Sequence, residues 1–319
     1  MKKTAIITGI SGQDGSYLTE YLLARNYEIH GLVRHHSQMD RHLHRINHLL
    51  DSINIERGDI LDAIAVEKFI RSVQPDEIYH LAAQSDVHLS FQLPSFTTKT
   101  NVIGTINVLE ACKQASRYCK FYNASSSEIF GNNKDEDDFQ RETTTMGPIT
   151  PYGCGKLFTH HFVKNYRRTY QMFAVNGVAF NHESPRRGTN FVTTKIIKAA
   201  KRIKKGKQRE LRLGNLEASR DWGHAKDYVA AMHLMMHHKE PDDFVLASGK
   251  SHTIRELCEY VFKKLDMDYA KYVTGDDKLL RPEDRQHVKG DPKRAKEMLK
   301  WIPEYTFEST LDEMIQEIN

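Results

Sequence analysis

The stretch Gly9-Ile10-Ser11-Gly12-Gln13-Asp14-Gly15 constrains this chain more than any other. It follows a short apolar run, Thr4–Thr8, and opens a helical pattern over residues 15–25. Glycines let a backbone turn sharply and come close to a bound group. A helix starting at such a turn points free N–H groups and the positive end of its dipole into it. That combination suits a pyrophosphate. The G-x-x-G-x-x-G spacing behind a first strand predicts a dinucleotide site built from Gly9, Ser11, Gly12, Gln13, Asp14 and Gly15.

The alternation that starts there continues. Apolar runs at Glu28–Val33, 53–56, 77–81, 120–124 and 173–178 are separated by helical patterns at 62–73, 98–115 and 152–170. A further strand is expected at 244–247. This rhythm predicts an α/β fold with a doubly wound parallel sheet of the Rossmann kind, whose ligands lie beyond the carboxyl ends of the strands. Residues 181–220 are rich in Arg, Gly and Asn, and Pro282, Pro292 and Pro303 punctuate the tail. We therefore expect a cofactor-binding domain from 1–180 with 218–250, and a second, smaller substrate domain from 181–217 with 251–319.

Composition removes several function classes. A chain of 319 residues with 39% hydrophobic content can bury a sizeable core. No apolar run approaches the roughly 20 residues that span a bilayer, so no membrane partner is expected. The formal net charge of +4 suits an anionic small ligand, not the clustered basic surface of a nucleic-acid binder. The densest basic stretch, 195–209, carries Ile196, Ile197, Ala199, Ala200 and Ile203 at helical spacing, so its lysines line an outer face. Cys112, Cys119, Cys154 and Cys258 form no C-x-x-C pair, which suggests a reduced, cytoplasmic protein. The pairs His35-His36, His160-His161 and His237-His238 point apart on any helix or strand, and no metal is expected.

After the second strand comes Arg34-His35-His36-Ser37, where an acidic residue would favour NAD. Arg34, His35 and Ser37 instead offer charge and donors to a 2′-phosphate, so NADP is the expected cofactor. Asp59 and Ile60 after the third strand border the adenine. Leu81-Ala82-Ala83-Gln84-Ser85 after the fourth is a small-residue turn that lets backbone approach the cofactor.

Tyr152 and Lys156 form Y-x-x-x-K at the start of a helix, on one face. A nearby ammonium and a nicotinamide's positive charge are expected to lower the tyrosine from about 10. Its phenolate can then take a hydroxyl proton while hydride leaves for the cofactor. Tyr260 and Lys264 have the same spacing, but they stand beyond the sheet pattern. Tyr152 instead follows a strand ending Ala124-Ser125-Ser126-Ser127-Glu128. Ser126 can hydrogen-bond a reacting oxygen. Glu128 can remove a carbon-bound proton beside a ketone and return a proton. Hydride transfer and simple epimerisation do not need that carboxylate; loss of water does.

At these residues the chain resembles the extended short-chain dehydrogenase/reductase family and, within it, the GDP-mannose 4,6-dehydratases. The resemblance runs over essentially the whole chain. It is most specific at Thr8 to Tyr17, at Gln74-Pro75-Asp76-Glu77-Ile78-Tyr79, at Phe180-Asn181-His182-Glu183-Ser184-Pro185-Arg186-Arg187-Gly188 and at Arg220-Asp221-Trp222-Gly223-His224-Ala225-Lys226-Asp227-Tyr228. It implies NADP-dependent 4,6-dehydration of a GDP-sugar, with hydride passing internally from C4 to C6. Ser126, Glu128, Tyr152 and Lys156 match the family's catalytic positions. His182 and Arg187 match cofactor contacts. Ser85, Ser126, Glu128, Asn181, Asn190, Val192, Lys195, Arg220, Arg281 and Glu283 fall at nucleotide-sugar contacts. The family usually has threonine at the position of Ser126, and its usual Asn-Leu-Ala-Ala-Gln-Ser-His is changed here at His80 and Asp86. GDP-mannose, giving GDP-4-keto-6-deoxymannose, is the first expectation. A GDP-manno-heptose, or an epimerase, decarboxylase or reductase on the same scaffold, stays open. The resemblance also implies a homodimer or homotetramer.

Overall fold

The inner strands of the sheet are buried on both faces, as packing between two helix layers demands, whereas the edge strand at Asn54–Arg57 is largely exposed. In this computed structural model, which describes residues 2–34, 43–115, 118–280 and 283–318, seven parallel strands make one sheet. They are β1 (Thr4–Thr8), β2 (Glu28–Val33), β3 (Asn54–Arg57), β4 (Glu77–His80), β5 (Lys120–Ser126), β6 (Ala174–Ala179) and β7 (Asp243–Leu246). Their order is β7-β6-β5-β4-β1-β2-β3. The reversal falls between β1 and β4, where Ile6 lies beside Ile78, and a crevice opens beyond the strand ends at such a point.

Side-chain alternation assigns the two faces. Ala5, Ile7, Tyr79 and Tyr122 pack with Leu18 and Leu22 of α1 (Gln13–Leu23), and with methionines of a later helix, Ala225–His237. Ile6, Ile78 and Phe121 pack on the other side. There they meet α2 (Ala63–Val73), α3 (Gly104–Lys113) and α4 (Pro151–Thr169) through Phe69, Val108 and Val163. Thr150 caps α4 by accepting from Gly153 N at 2.9 Å, and Pro151 occupies the first helical position. Both are standard ways to start a helix.

A separate core forms from later residues. It joins α5 (Val192–Lys204), α7 (Ile254–Lys264) and α8 (Phe307–Glu317) around Trp222, which stands on the short strand Trp222–His224 ahead of α6 (Ala225–His237). The expected amphipathic face of α5, including Ile196, Ile197, Ala200 and Ile203, is buried in it.

One helix differs from the sequence expectation. Residues 98–115 are not a single α-helix: a π-helical turn, Lys99–Ile103, precedes α3. There the Asn101 side chain accepts from Gln84 N (2.8 Å) and donates to Gln84 O (2.9 Å). Those bonds satisfy the backbone of the small-residue turn after β4, and widened turns of this kind recur at functional sites. No helix among the described residues is long and apolar enough to cross a membrane.

Candidate active site

The ends of β1, β2, β4 and β5 open into one cleft of about 470 Å³. Gly9 holds φ +75°, and a Cβ there would stand 2.8 Å from Ala82 N. Any side chain at Gly15 would strike the Gly9 carbonyl. Gly12 starts α1 with extended backbone and no side-chain cap, so the helix's first N–H groups are left for another acceptor. This is a cradle for an anion, bounded by backbone that only glycine permits. Ser11, Gln13, Asp14, Leu81, Ala82, Ala83 and Ser85 line it, with Arg34, Asp59 and Ile60 farther along β2 and β3.

Asp14 and Gln13 lock the cradle to the chain after β6. His182 Nε2 lies 2.9 Å from Asp14 Oδ2, and its Nδ1 lies 2.7 Å from Phe180 O. An imidazolium satisfies both as donor. Burial opposes that charge, yet Asp14 raises His182 above its ordinary value. Burial likewise disfavours the carboxylate, but His182 and further hydrogen bonds hold Asp14 down at about 2. Gln13 completes the lock by donating to His182 O (3.1 Å) and accepting from Ser184 Oγ (2.8 Å). Arg187 lines the cleft, 3.2 Å from Glu183 and with its guanidinium 3.6 Å from the centre of the Phe191 ring.

Across the cleft, β5 and α4 bring together Ser126, Glu128, Tyr152 and Lys156. Lys156 Nζ donates to Ala124 O at 2.7 Å and lies 5.8 Å from the Tyr152 ring centre. Burial pushes Lys156 down to about 8. Burial pushes Tyr152 up to about 12, with a Ser126 hydrogen bond opposing it. The expected lowering counted on a nicotinamide's positive charge as well as the ammonium, and the ammonium alone does not produce it. The protein's own residues do the reverse, because burial outweighs an ammonium committed to a carbonyl.

The sugar-side expectations divide. Asn181 lines the cleft. Arg220 is buried and paired with Asp284 at 2.8 Å. Asn190 donates to Asp86 (2.7 Å) and lies on a neighbouring cavity. Val192 begins α5, and Lys195 reaches Arg212 O at 3.4 Å. Glu283 is exposed. Gln84 is buried against Asn101 and is not among the cleft's lining residues. His35, Ser37 and Arg281 lie outside the described residues. His80, one of the departures from the family pattern, sits between Thr8 (2.8 Å) and Thr105 (3.0 Å) and is held neutral by burial, down to about 3. It ties the ends of β1 and β4 to the first turn of α3.

Sequence reasoning missed Arg45, Tyr122 and Arg285, which all line the cleft. Arg285 Nη2 is 2.7 Å from Glu128 Oε1. Nothing in spacing marks it, because its partner stands far away in sequence. Arg45 is better signalled, being basic and close behind the expected cofactor segment.

Known proteins bear on this geometry. The sequence profile of the family described as GDP-mannose 4,6 dehydratase matches residues 6–314. GDP-mannose 4,6 dehydratase 2 of Arabidopsis thaliana is 44% identical over 328 residues, covering 99% of this chain and 87% of that protein. The Homo sapiens GDP-mannose 4,6 dehydratase is 42% identical, covering 98% and 91%. Among solved structures, UDP-glucose 4-epimerase of Thermotoga maritima superposes with a TM-score of 0.87 at 24% identity, covering 98% of each chain. RMD from Pseudomonas aeruginosa complexed with NADPH gives 0.82 at 25% identity, covering 99% of this chain and 97% of that one.

Proposed function

The chain belongs to the GDP-mannose 4,6-dehydratase family, and from that premise we propose that it is an NADP-dependent lyase converting GDP-mannose to GDP-4-keto-6-deoxymannose. One observation carries the reading: a buried carboxylate, Glu128, shares a cleft with Ser126 and Tyr152 beyond the end of β5. Oxidation at C4 alone has no use for it. Elimination across C5 and C6 does.

The residues fit a nicotinamide dinucleotide. The glycine cradle and the uncapped start of α1 suit its pyrophosphate. Arg34 and Arg45 line the cleft beyond β2, where a 2′-phosphate would want cations. The Pseudomonas aeruginosa neighbour was solved with NADPH. What the bound nucleotide supplies is a store for hydride, taken from C4 and given back at C6 in the same turnover.

The chain's own residues manage the protons. With a bound nicotinamide's positive charge favouring its phenolate, Tyr152 would take the C4 hydroxyl proton, Ser126 holding the oxygen by a hydrogen bond. The C4 ketone acidifies the C5 proton, and Glu128 removes it. Glu128 then hands that proton to the C6 hydroxyl, which leaves as water. Tyr152 still holds the first proton, and its return to C5 closes the balance. Lys156, held on Ala124 O, keeps a positive charge near the phenol below its value of about 8. Pairing through α3 and α4, which leave Phe158 and the adjoining Ile103 exposed, is the homo-oligomer we propose.

A panel of GDP-, UDP-, CDP- and dTDP-sugars assayed for 4-keto product tests the substrate. GDP-mannose alone giving strong alkali-induced near-UV absorbance, without added NADPH, is the expected result. A preference for another nucleotide, or product only with added reductant, would overturn it.

A further inference from the structure

Glu128 is gripped at both oxygens, and neither partner is a residue that the sequence marks for chemistry. Oε1 lies 2.7 Å from Nη2 of Arg285. Oε2 accepts from Thr150 Oγ1 at 3.3 Å. Thr150 spends its own acceptor capacity on Gly153 N, which leaves its hydroxyl proton free for the carboxylate.

Arg285 is itself immobilised. It is 3% exposed. Its Nη1 donates to Ser127 O (3.1 Å) and Ser127 Oγ (3.2 Å), on the turn that carries Glu128. Its carbonyl accepts from Arg220 Nη1 at 2.8 Å. A guanidinium this deeply buried is costly unless paired and hydrogen-bonded. Here a planar fork meets a carboxylate with one arm and a backbone carbonyl with the other, a geometry that lysine cannot copy. The two ends of the fork fix both the carboxylate and the turn it stands on.

We propose that Arg285 is the positioning residue for the elimination half of the reaction. It acts through Glu128, aiming the carboxylate with help from Thr150, and it makes no contact with the reacting carbons. This rests on the dehydratase reading above. Glu128 must meet the C5 proton and then the C6 oxygen, and a loose glutamate samples many rotamers that reach neither. A misplacement of roughly 1 Å costs about 100-fold in such a step. Oxidation at C4 depends on Tyr152 and does not need the grip. The segment that supplies Arg285 also carries Glu283 and Asp284, the latter bound to Arg220, so the region expected to hold the nucleotide also aims the base.

The test uses the full chain with NADP and GDP-mannose, comparing wild type, Arg285→Met and Arg285→Lys. For R285M we expect kcat to fall about 100-fold with KM changed by no more than about threefold. Reduced-nicotinamide absorbance should build up in R285M during turnover, because C4 oxidation outruns elimination. R285K should fall about tenfold, its point charge restoring part of the grip, and added guanidinium ion should partly rescue R285M. Turnover of R285M within about threefold of wild type overturns the proposal. So does a rise in KM at unchanged kcat, which would assign Arg285 to substrate binding, and so does equal loss of both half-reactions. If R285M does not fold, R285K carries the test: wild-type turnover overturns the proposal, and a fall in kcat at unchanged KM with accumulated reduced nicotinamide supports it. A wild type that makes no 4-keto product from GDP-mannose overturns the dehydratase reading and this proposal together. An active wild type with an unaffected R285M overturns this proposal alone.

Discussion

Two Y-x-x-x-K pairs stand in this chain, and they have opposite surroundings. Tyr152 and Lys156 are both buried, at 8% and 7% exposure. Tyr260 and Lys264 sit on α7 and share one carboxylate, Asp312, at 2.9 Å each. In both pairs the ammonium is close to the ring centre, 5.8 Å in the first and 5.2 Å in the second. Spacing on a helix therefore produces the same juxtaposition twice. The Asp312 hydrogen bond raises Lys264, whereas burial pushes Lys156 down to about 8. The first pair faces a cleft with a serine and a glutamate; the second is a surface ion pair. Burial and neighbours separate the two pairs, and the helix supplies only proximity.

Substitutions can break or sharpen this contrast. The largest expected effect is at the tyrosines. Y152F should lower turnover about 1000-fold or more, and Y260F should stay within about twofold. Steady-state assay of 4-keto product checks both. Equal losses would mean that the second pair matters to the chemistry in a way its surface position does not suggest.

The lysines should follow in the same direction. K156M should cost about 100-fold in kcat, while K264M leaves turnover unchanged. Next comes the hydroxyl that faces Tyr152. S126A should lose about tenfold, and S126T, which keeps the hydroxyl, should stay within about threefold.

The smallest effect separates the lysines by titration. Lysine side-chain NMR should find Lys156 losing its proton near pH 8 and Lys264 holding its own above the ordinary lysine value. The sign for stability follows from Lys156. The folded chain releases this proton at about 8, before the unfolded chain does at about 10.4. Between those values the unfolded state binds more protons, so this site's contribution to stability rises with pH. Denaturant melts of K156M should lack that rise. A wild type whose excess stability over K156M falls across that window would contradict the burial assigned to Lys156.

Much of the fold was legible because parallel sheets write themselves as apolar runs. β1 and β2 fall on the expected residues, and β4 to β7 begin or end within a residue or two of the expected limits. The helix through Thr98 was misread because a π-helical turn, Lys99–Ile103, interrupts it where Asn101 bonds the Gln84 backbone, a tertiary contact with no local signature. At the site, residues on strand ends and first helical turns were readable: Gly9 to Gly15, Ser126, Glu128, Tyr152 and Lys156. Arg285 was not, because its meaning lies in a contact 157 positions away (285 − 128). The upward push on Tyr152 was not legible for the same reason: burial is a property of the fold.

Isotope position tests the chemistry most directly. GDP-mannose carrying deuterium at C4 should give a 4-keto product with that deuterium at C6, read by NMR and mass spectrometry without added reductant. Label found in solvent or in the nucleotide pool, with none at C6, would contradict an internal hydride return.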